Sequence, residues 1–144
     1  MCNLTLKLDT PSFTGWKVVA VHKKTGRYYS PAMGCMYRKD GQVPIPKEQK
    51  RLTSWFADNI LNRSRGWAFV KGMVGRTGVF TNSADANHFM RELLYNHALN
   101  DSFTLSVIEA TVSKDLMKGI YSFYGHVVAG RRITFHPTTE EATS

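Results

Sequence analysis

The clearest periodicity in the chain is a run of apolar residues at helical spacing in its second half. These residues are Ala86, Phe89, Met90, Leu93, Leu94 and His97, and they share one face of a helix. Thr81, Asn82 and Ser83, which lie just before them, are residue types that favour a helix N-cap. The pattern therefore predicts a helix over about 83–97.

Alternating apolar and polar positions predict strands before this helix. Residues 4–8 alternate leucine with polar residues, which indicates a short edge strand. Residues 16–22 are apolar on both faces, as is typical of a central strand. The polar residues 23–26 then form a turn, and 27–30 return as the second strand of a hairpin. Met36, Tyr37 and Val43 flank an Asp-Gly turn signal at 40–41, which predicts a second short hairpin.

Two longer β stretches follow the helix. Residues 103–107 are apolar on one face and residues 108–112 on the other. This change of face indicates either a β-bulge or a strand buried on both sides. Residues 120–135 form another β stretch, interrupted by Gly125 and Gly130.

The middle of the chain combines a helix, a strand and a glycine-rich loop. Residues 47–61 have a partial apolar stripe and follow Pro46, a residue favoured at the first helical position, so they predict a second helix. Residues 66–70 are aromatic and β-branched, as in a strand, and lead into the loop 71–78. The chain is thus expected to be a single α+β domain over 1–136, mostly antiparallel sheet with the 83–97 helix packed across it, followed by a polar acidic tail at 137–144.

Positive charge is concentrated in the first part of the chain. The net charge is +8, from 19 basic and 11 acidic residues. Residues 1–80 contain 14 basic and 4 acidic residues (+10), whereas 81–144 contain 5 basic and 7 acidic residues (−2). This excess favours an anionic partner: a nucleotide, a nucleic acid or the acidic surface of a protein. A basic surface that only keeps the protein soluble is the alternative.

Cysteine usage and hydropathy point to the cytoplasm. The two cysteines, Cys2 and Cys35, do not make a disulfide framework, so a reducing compartment fits best. The first residues contain no apolar segment typical of a signal peptide. No run approaches the roughly 18 apolar residues that a membrane helix needs. We therefore expect a cytoplasmic protein without a membrane partner.

The glycine-rich loop is the first candidate binding site. Gly72, Gly75 and Gly78 would let backbone N–H groups approach an anion, while Lys71 and Arg76 would pair with phosphate oxygens. The spacing matches neither the P-loop nor the dinucleotide-binding motif. An ordinary hairpin turn accounts for the glycines equally well.

Two further pairs complete the predicted ligand-binding residues. Arg131 and Arg132 form a cationic pair at a predicted turn, which would lie beside Arg76 if the two β segments are neighbours; a solvated turn is the alternative. Tyr28 and Tyr29 lie among basic residues and would stack on a base, as in nucleotide and single-strand binding. Neighbours on a strand point to opposite faces, so only one of the two tyrosines can be outward.

Catalytic patterns are weak, and we predict no catalytic residue, metal or cofactor. The histidines lack zinc-ligand spacing, and Cys35 has no histidine near it in sequence. The order His22, then Tyr28 or Tyr29, then Glu109 matches ADP-ribosyltransferases of the His-Tyr-Glu type in residue type alone.

About two thirds of the chain resembles small proteins encoded by tailed phages. The residues that carry the resemblance are Trp16-Lys17-Val18-Val19, Gly26-Arg27-Tyr28-Tyr29-Ser30-Pro31, Tyr37, Gly41, Gly78-Val79-Phe80 and Ala84-Asp85-Ala86. Phage accessory proteins of this size include inhibitors of CRISPR and restriction systems and sponges for cyclic nucleotide signals. The resemblance implies a binding role in the host cytoplasm that counteracts host defence.

Charge and resemblance together predict a non-enzymatic accessory protein whose basic face binds a nucleotide signal or nucleic acid. Two alternatives remain open. One is a protein-binding inhibitor of a host nucleic-acid-binding complex, and the other is a small ADP-ribosyltransferase-like enzyme.

Overall fold

A computed structural model describes residues 2–31, 36–43, 75–121 and 124–137. The predicted helix at 47–61, the predicted strand at 66–70, Lys71 and nearly all of the C-terminal tail lie outside these ranges. The elements in chain order are β1 (Cys2–Lys7), β2 (Ser12–His22), β3 (Tyr28–Tyr29), β4 (Thr77–Phe80), α1 (Ser83–Asn96), β5 (Phe103–Ser113), β6 (Met117–Tyr121), β7 (Gly125–Gly130) and β8 (Arg132–His136). The strands form one sheet in the order β1-β6-β7-β4-β2-β5-β8, with β3 also paired to β2.

The long antiparallel pair β2–β5 is the centre of this sheet. Its register runs without a shift from Ser12 opposite Ser113 to His22 opposite Phe103. The prediction of a central strand at 16–22 is confirmed, because β2 also pairs with β3 and β4. The bulge considered for 103–112 is wrong, since β5 is regular. Its two halves are instead buried on opposite faces of the sheet.

Helix α1 covers one face of the sheet and confirms the predicted helix at 83–97. The side chain of Asn82 caps the helix by accepting a hydrogen bond from Ala84 N at 2.7 Å. The buried helix residues are Ala86, Phe89 and Leu93, which pack with Val18, Ala20, Phe80 and Val127 of the strands. Leu94, which the periodicity also placed on the apolar face, is 48% exposed.

The opposite face encloses a second core because the sheet curls back on itself. Strands β7 and β8 are separated only by Arg131, yet β7 pairs with β4 and β6 whereas β8 pairs with β5. In the strand order, β7 and β8 therefore lie on opposite sides of β2, although one residue joins them. Such a short connection requires the sheet to curl so that these two strands come close together. The second core contains Val19, Tyr37, Val79, Ile108, Ala110, Val112, Leu116, Val128 and Ile133.

The Asp-Gly turn forms as predicted, but the segments beside it do not pair with each other. Gly41 N donates to Arg38 O at 3.0 Å, which closes the turn. Met36 forms a β-bridge with Tyr29, and Gln42 forms one with Arg132. The turn therefore joins the edge of β3 to the edge of β8 instead of making a hairpin.

The described part of the chain is mostly antiparallel sheet with one helix, which fits the α+β class expected from the sequence, although the low helix content leans toward mainly β. Within that part, none of the helical structure is long and apolar enough to cross a membrane.

Candidate functional site

Two of the predicted phosphate ligands, Arg76 and Arg131, converge on one carboxylate. Arg76 is 7% exposed and donates from Nε to Asp115 O at 3.1 Å and from Nη2 to Asp115 Oδ2 at 2.7 Å. Arg131 Nε donates to the same Oδ2 at 3.0 Å. Lys7 Nζ lies 3.8 Å from Asp115 Oδ1. A carboxylate of the protein itself thus pairs with the arginines that the sequence pattern predicted to bind a phosphate.

Backbone geometry presents Asp115 to these cations. Lys114 and Asp115 have φ angles of 65° and 54°, in the left-handed region that non-glycine residues rarely adopt. The hydrogen bond from Arg131 and the charges of Arg76, Lys7 and Arg131 hold the pKa of the Asp115 carboxyl below its usual value of 3.8. We call Asp115 and its three cations the Asp115 cluster. It joins the ends of β1 and β5 to the start of β4 and the β7–β8 junction.

The glycine-rich loop is shorter than predicted at its C-terminal end. Strand β4 begins at Thr77, so Gly78 lies in a strand and not in a loop. Gly75 has a φ of 75°, and a Cβ at that position would lie 2.7 Å from Arg131 Nη1. In the described part of this loop, a glycine therefore makes room for the guanidinium of Arg131.

Arg132 does not join the Asp115 cluster. Its backbone bridges to Gln42, and its Cγ lies 3.1 Å from the position of a Cβ on Gly41. Its Nε is buried and has no hydrogen-bond partner among the described residues. The predicted cationic pair is therefore divided between two sites.

Tyr28 and Tyr29 point to opposite faces, as expected for neighbours on a strand. The Tyr29 ring lies 5.3 Å from Phe103, at the edge of the core under α1. The Tyr28 ring packs edge-on against Phe135 at 4.9 Å, beside the second core. Both tyrosines are half-buried. Tyr28 also lines a cavity.

That cavity is a groove of about 340 Å³ between three separate segments. It is lined by Gly26, Arg27, Tyr28, Tyr37, Arg38, Lys39, Asp40, Gly41, Ile133, Thr134 and Phe135. Tyr37 N donates to Tyr28 O at 2.9 Å, and Ile133 N donates to Gly41 O at 2.8 Å. Backbone hydrogen bonds thus fix the 37–41 segment to β3 on one side and to β8 on the other. We call this cavity the turn groove.

Aromatic rings and cations lie together in the turn groove. Phe135 contacts the rings of both Tyr28 and Tyr37, with centroid distances of 4.9 and 5.1 Å. The side chains of Arg27, Arg38 and Lys39 supply three positive charges, and Asp40 supplies the one negative charge among the lining residues. The lining thus carries a net charge of +2, from three cations and one anion.

Asp40 is held in place from two sides. Its Oδ1 accepts a hydrogen bond from Gln42 N at 3.0 Å, and its Oδ2 accepts one from Arg38 Nη2 at 3.0 Å. The hydrogen bond from Gln42 lowers the pKa of the Asp40 carboxyl, and Arg38 and Arg132 act in the same direction. Asp40 is therefore an ionised acceptor.

The sequence analysis noted that Tyr28 lies among basic residues, but it missed Lys39, Asp40 and Phe135 as one site with Tyr28. The available signal was local: an aromatic residue, two cations and an Asp-Gly turn in succession at 37–41. Phe135 is almost a hundred residues further along, and no local pattern relates it to that turn.

The ADP-ribosyltransferase arrangement is not assembled. His22 is opposite Phe103 on β5, whereas Glu109 is six residues further along that strand. At about 3.3 Å per residue this separation is about 20 Å. In addition, the described residues contain no group of three or more potential metal-ligating side chains.

Comparisons with protein-family models, with curated proteins and with solved structures find no match to this chain.

Proposed function

We propose that this chain is a binding protein that holds a nucleotide-type anion in the turn groove. The observation that carries the proposal is the combination of three cationic side chains with the rings of Tyr28 and Phe135 around a single cavity. Cations recognise phosphate oxygens, and aromatic side chains stack on bases of any identity.

Each side chain has a distinct part in this binding. Arg27 and Lys39 contact the phosphate, and Arg27 is oriented for this by its contact from Nη1 to Met36 Sδ at 3.2 Å. Arg38 is shared between the ligand and Asp40. The base lies against Phe135 and Tyr28. A volume of about 340 Å³ is near the lower limit for ligand pockets and accommodates one nucleotide unit.

The role is binding without turnover, in keeping with the resemblance to phage accessory proteins. A protein of this kind lowers the free concentration of a nucleotide signal in the host cell, or it binds a nucleic-acid strand of which one nucleotide lies in the turn groove and further phosphates contact other basic side chains. These two versions differ in salt sensitivity. Strand binding through six or more phosphates loses about a thousandfold or more in affinity between 50 and 200 mM salt, whereas binding of a single nucleotide loses much less.

Thermal unfolding in the presence of nucleotides tests the proposal. A ligand at 100 times its dissociation constant stabilises the protein by about 2.7 kcal/mol. We expect Arg27→Ala and Phe135→Ala to remove most of that stabilisation. Arg91→Ala is the matched control, because Arg91 is an exposed arginine on α1, which packs on the opposite face of the sheet.

The same assay separates the two cationic sites. Binding that survives Arg27→Ala but is lost in Arg131→Ala would place the ligand at the Asp115 cluster and contradict the turn groove. No stabilisation by any mono-, di- or cyclic nucleotide would contradict nucleotide binding altogether.

A further inference from the structure

Asp40 presents a negative charge inside a groove whose other charged side chains are positive. The carboxylate is 47% exposed and lines the cavity. A fixed negative charge repels an incoming phosphate, so it lowers the affinity for any ligand that is only an anion. A carboxylate in this position favours binding only if another part of the ligand donates a hydrogen bond to it.

The carboxylate has the capacity to accept such a bond. An ionised carboxylate offers about four acceptor positions on its two oxygens. Gln42 N occupies one position on Oδ1, and Arg38 Nη2 occupies one on Oδ2. Each oxygen therefore keeps an acceptor position for a donor that enters the groove.

The turn places this acceptor next in sequence to Lys39, one of the two proposed phosphate ligands, and the second, Arg27, lines the same groove. Lys39 and Asp40 are adjacent in the chain, and the Gly41 N to Arg38 O hydrogen bond closes the turn that carries both. In a nucleotide, the donors close to the phosphate are the hydroxyl groups of the ribose. A phosphate on Lys39 and Arg27 thus brings the sugar toward Asp40, with the base directed to Phe135.

We propose that Asp40 accepts a hydrogen bond from the ribose 2′-hydroxyl, so that the turn groove selects ribonucleotides over deoxyribonucleotides. This inference rests on the proposed nucleotide binding and names the ligand class. Asp40 is a specificity-determining residue: it weakens binding of phosphate as such and restores affinity only for ligands that carry the sugar donor.

Titration calorimetry with a matched ligand series tests this. The probes are adenosine 5′-monophosphate and its 2′-deoxy and 2′,3′-dideoxy forms, with the guanosine series repeated in parallel. All members of a series carry the same phosphate, so their affinity ratio reports the sugar contact alone. We expect the wild-type protein to bind the ribose form about tenfold more tightly than either the 2′-deoxy or the dideoxy form, as for one hydrogen bond to a partly exposed charged acceptor.

Asp40→Asn is the informative variant. The loss of the negative charge should strengthen binding of the dideoxy form, whereas the ribose form also loses its hydrogen bond to the carboxylate, so the ratio between ribose and dideoxy forms should fall toward one. Asp40→Ser is the control for the structure of the turn, because a serine hydroxyl can still accept the hydrogen bond from Gln42 N. It should give the same reduced ratio between ribose and dideoxy forms. Arg91→Ala should leave the ratio unchanged.

The outcomes separate the two proposals. Equal binding of the ribose and 2′-deoxy forms by the wild-type protein, or a ratio unaffected by Asp40→Asn and Asp40→Ser, would overturn the ribose contact while leaving nucleotide binding intact. No binding of any member by the wild-type protein would overturn both.

Discussion

Single residues set the shape of the turn groove, and Gly41 is the most constrained of them. Its φ of 81° lies in the left-handed region, and a Cβ at this position would lie 2.6 Å from Ile133 O. A backbone carbonyl cannot move aside as a flexible side chain can. Gly41 therefore determines how closely the 38–41 turn approaches β8.

We expect Gly41→Ala to destabilise the fold by about 1–3 kcal/mol, since the substitution combines a strained φ with a backbone contact. Urea unfolding measures the change. Gly26→Ala is the matched control: Gly26 has a φ of 71°, but nothing lies within 4 Å of the point that an alanine Cβ would occupy there. It should cost about 1–2 kcal/mol, the conformational part alone. Equal losses in the two variants would show that the contact with Ile133 has no energetic weight.

The directions of single side chains explain which of the predicted cationic residues lie together. Arg131 was expected to lie beside Arg76, and it does, through Asp115. Arg132 was expected there too, but consecutive residues of an extended chain point in opposite directions. The sequence did not identify Asp115 as the partner of these arginines. It lies 39 residues from Arg76, and a single acidic residue in a loop is common.

At the scale of elements, local patterns identified α1 and the β2–β3 hairpin because both depend on residues close in sequence. The helix begins where an N-cap residue precedes the apolar periodicity, and the hairpin follows the polar turn at 23–26. Pairing between distant strands was not predictable in this way. Neither the β2–β5 register nor the attachment of the 37–41 segment to β8 has a local sequence signature.

The cap of α1 offers a test at this scale. Asn82→Ala removes the acceptor for Ala84 N and should destabilise the protein by about 1 kcal/mol. Chemical denaturation followed by circular dichroism measures the loss. Thr81→Ala is the comparison, because Thr81 is next in sequence but is not the cap residue, and its loss should be smaller. A larger effect at Thr81 would contradict the assignment of the cap to Asn82.

At the scale of the whole molecule, the Asp115 cluster connects four elements and makes stability depend on pH. Asp115 and Asp40 both have a lowered pKa in the folded protein. A lowered folded-state pKa gives stability that is present above the unfolded value of about 3.9 and is lost as the pH falls through the folded value. The folded state should therefore weaken progressively below about pH 4.

Asp115→Asn tests this dependence. At neutral pH the variant should have a lower melting temperature, because the nearly buried Arg76 loses its ionised partner. In acid its melting temperature should fall less steeply than that of the wild type. Asp9→Asn is the control, since Asp9 is exposed and forms no ion pair within the described ranges. If the melting temperatures of Asp115→Asn and the wild type fell equally steeply as the pH is lowered, a role for this carboxylate would be contradicted.

The β2–β5 pair has a consequence for synthesis in the cell. The partner of an N-terminal strand ending at His22 is complete only at Ser113, about 90 residues later. A ribosome that adds about 5–20 residues per second needs about 5–18 s to cover that interval. During this time the apolar run from Val18 to Val21 leaves the exit tunnel without its main partner. The nascent chain is thus most exposed to aggregation and most dependent on chaperones before β5 has been translated.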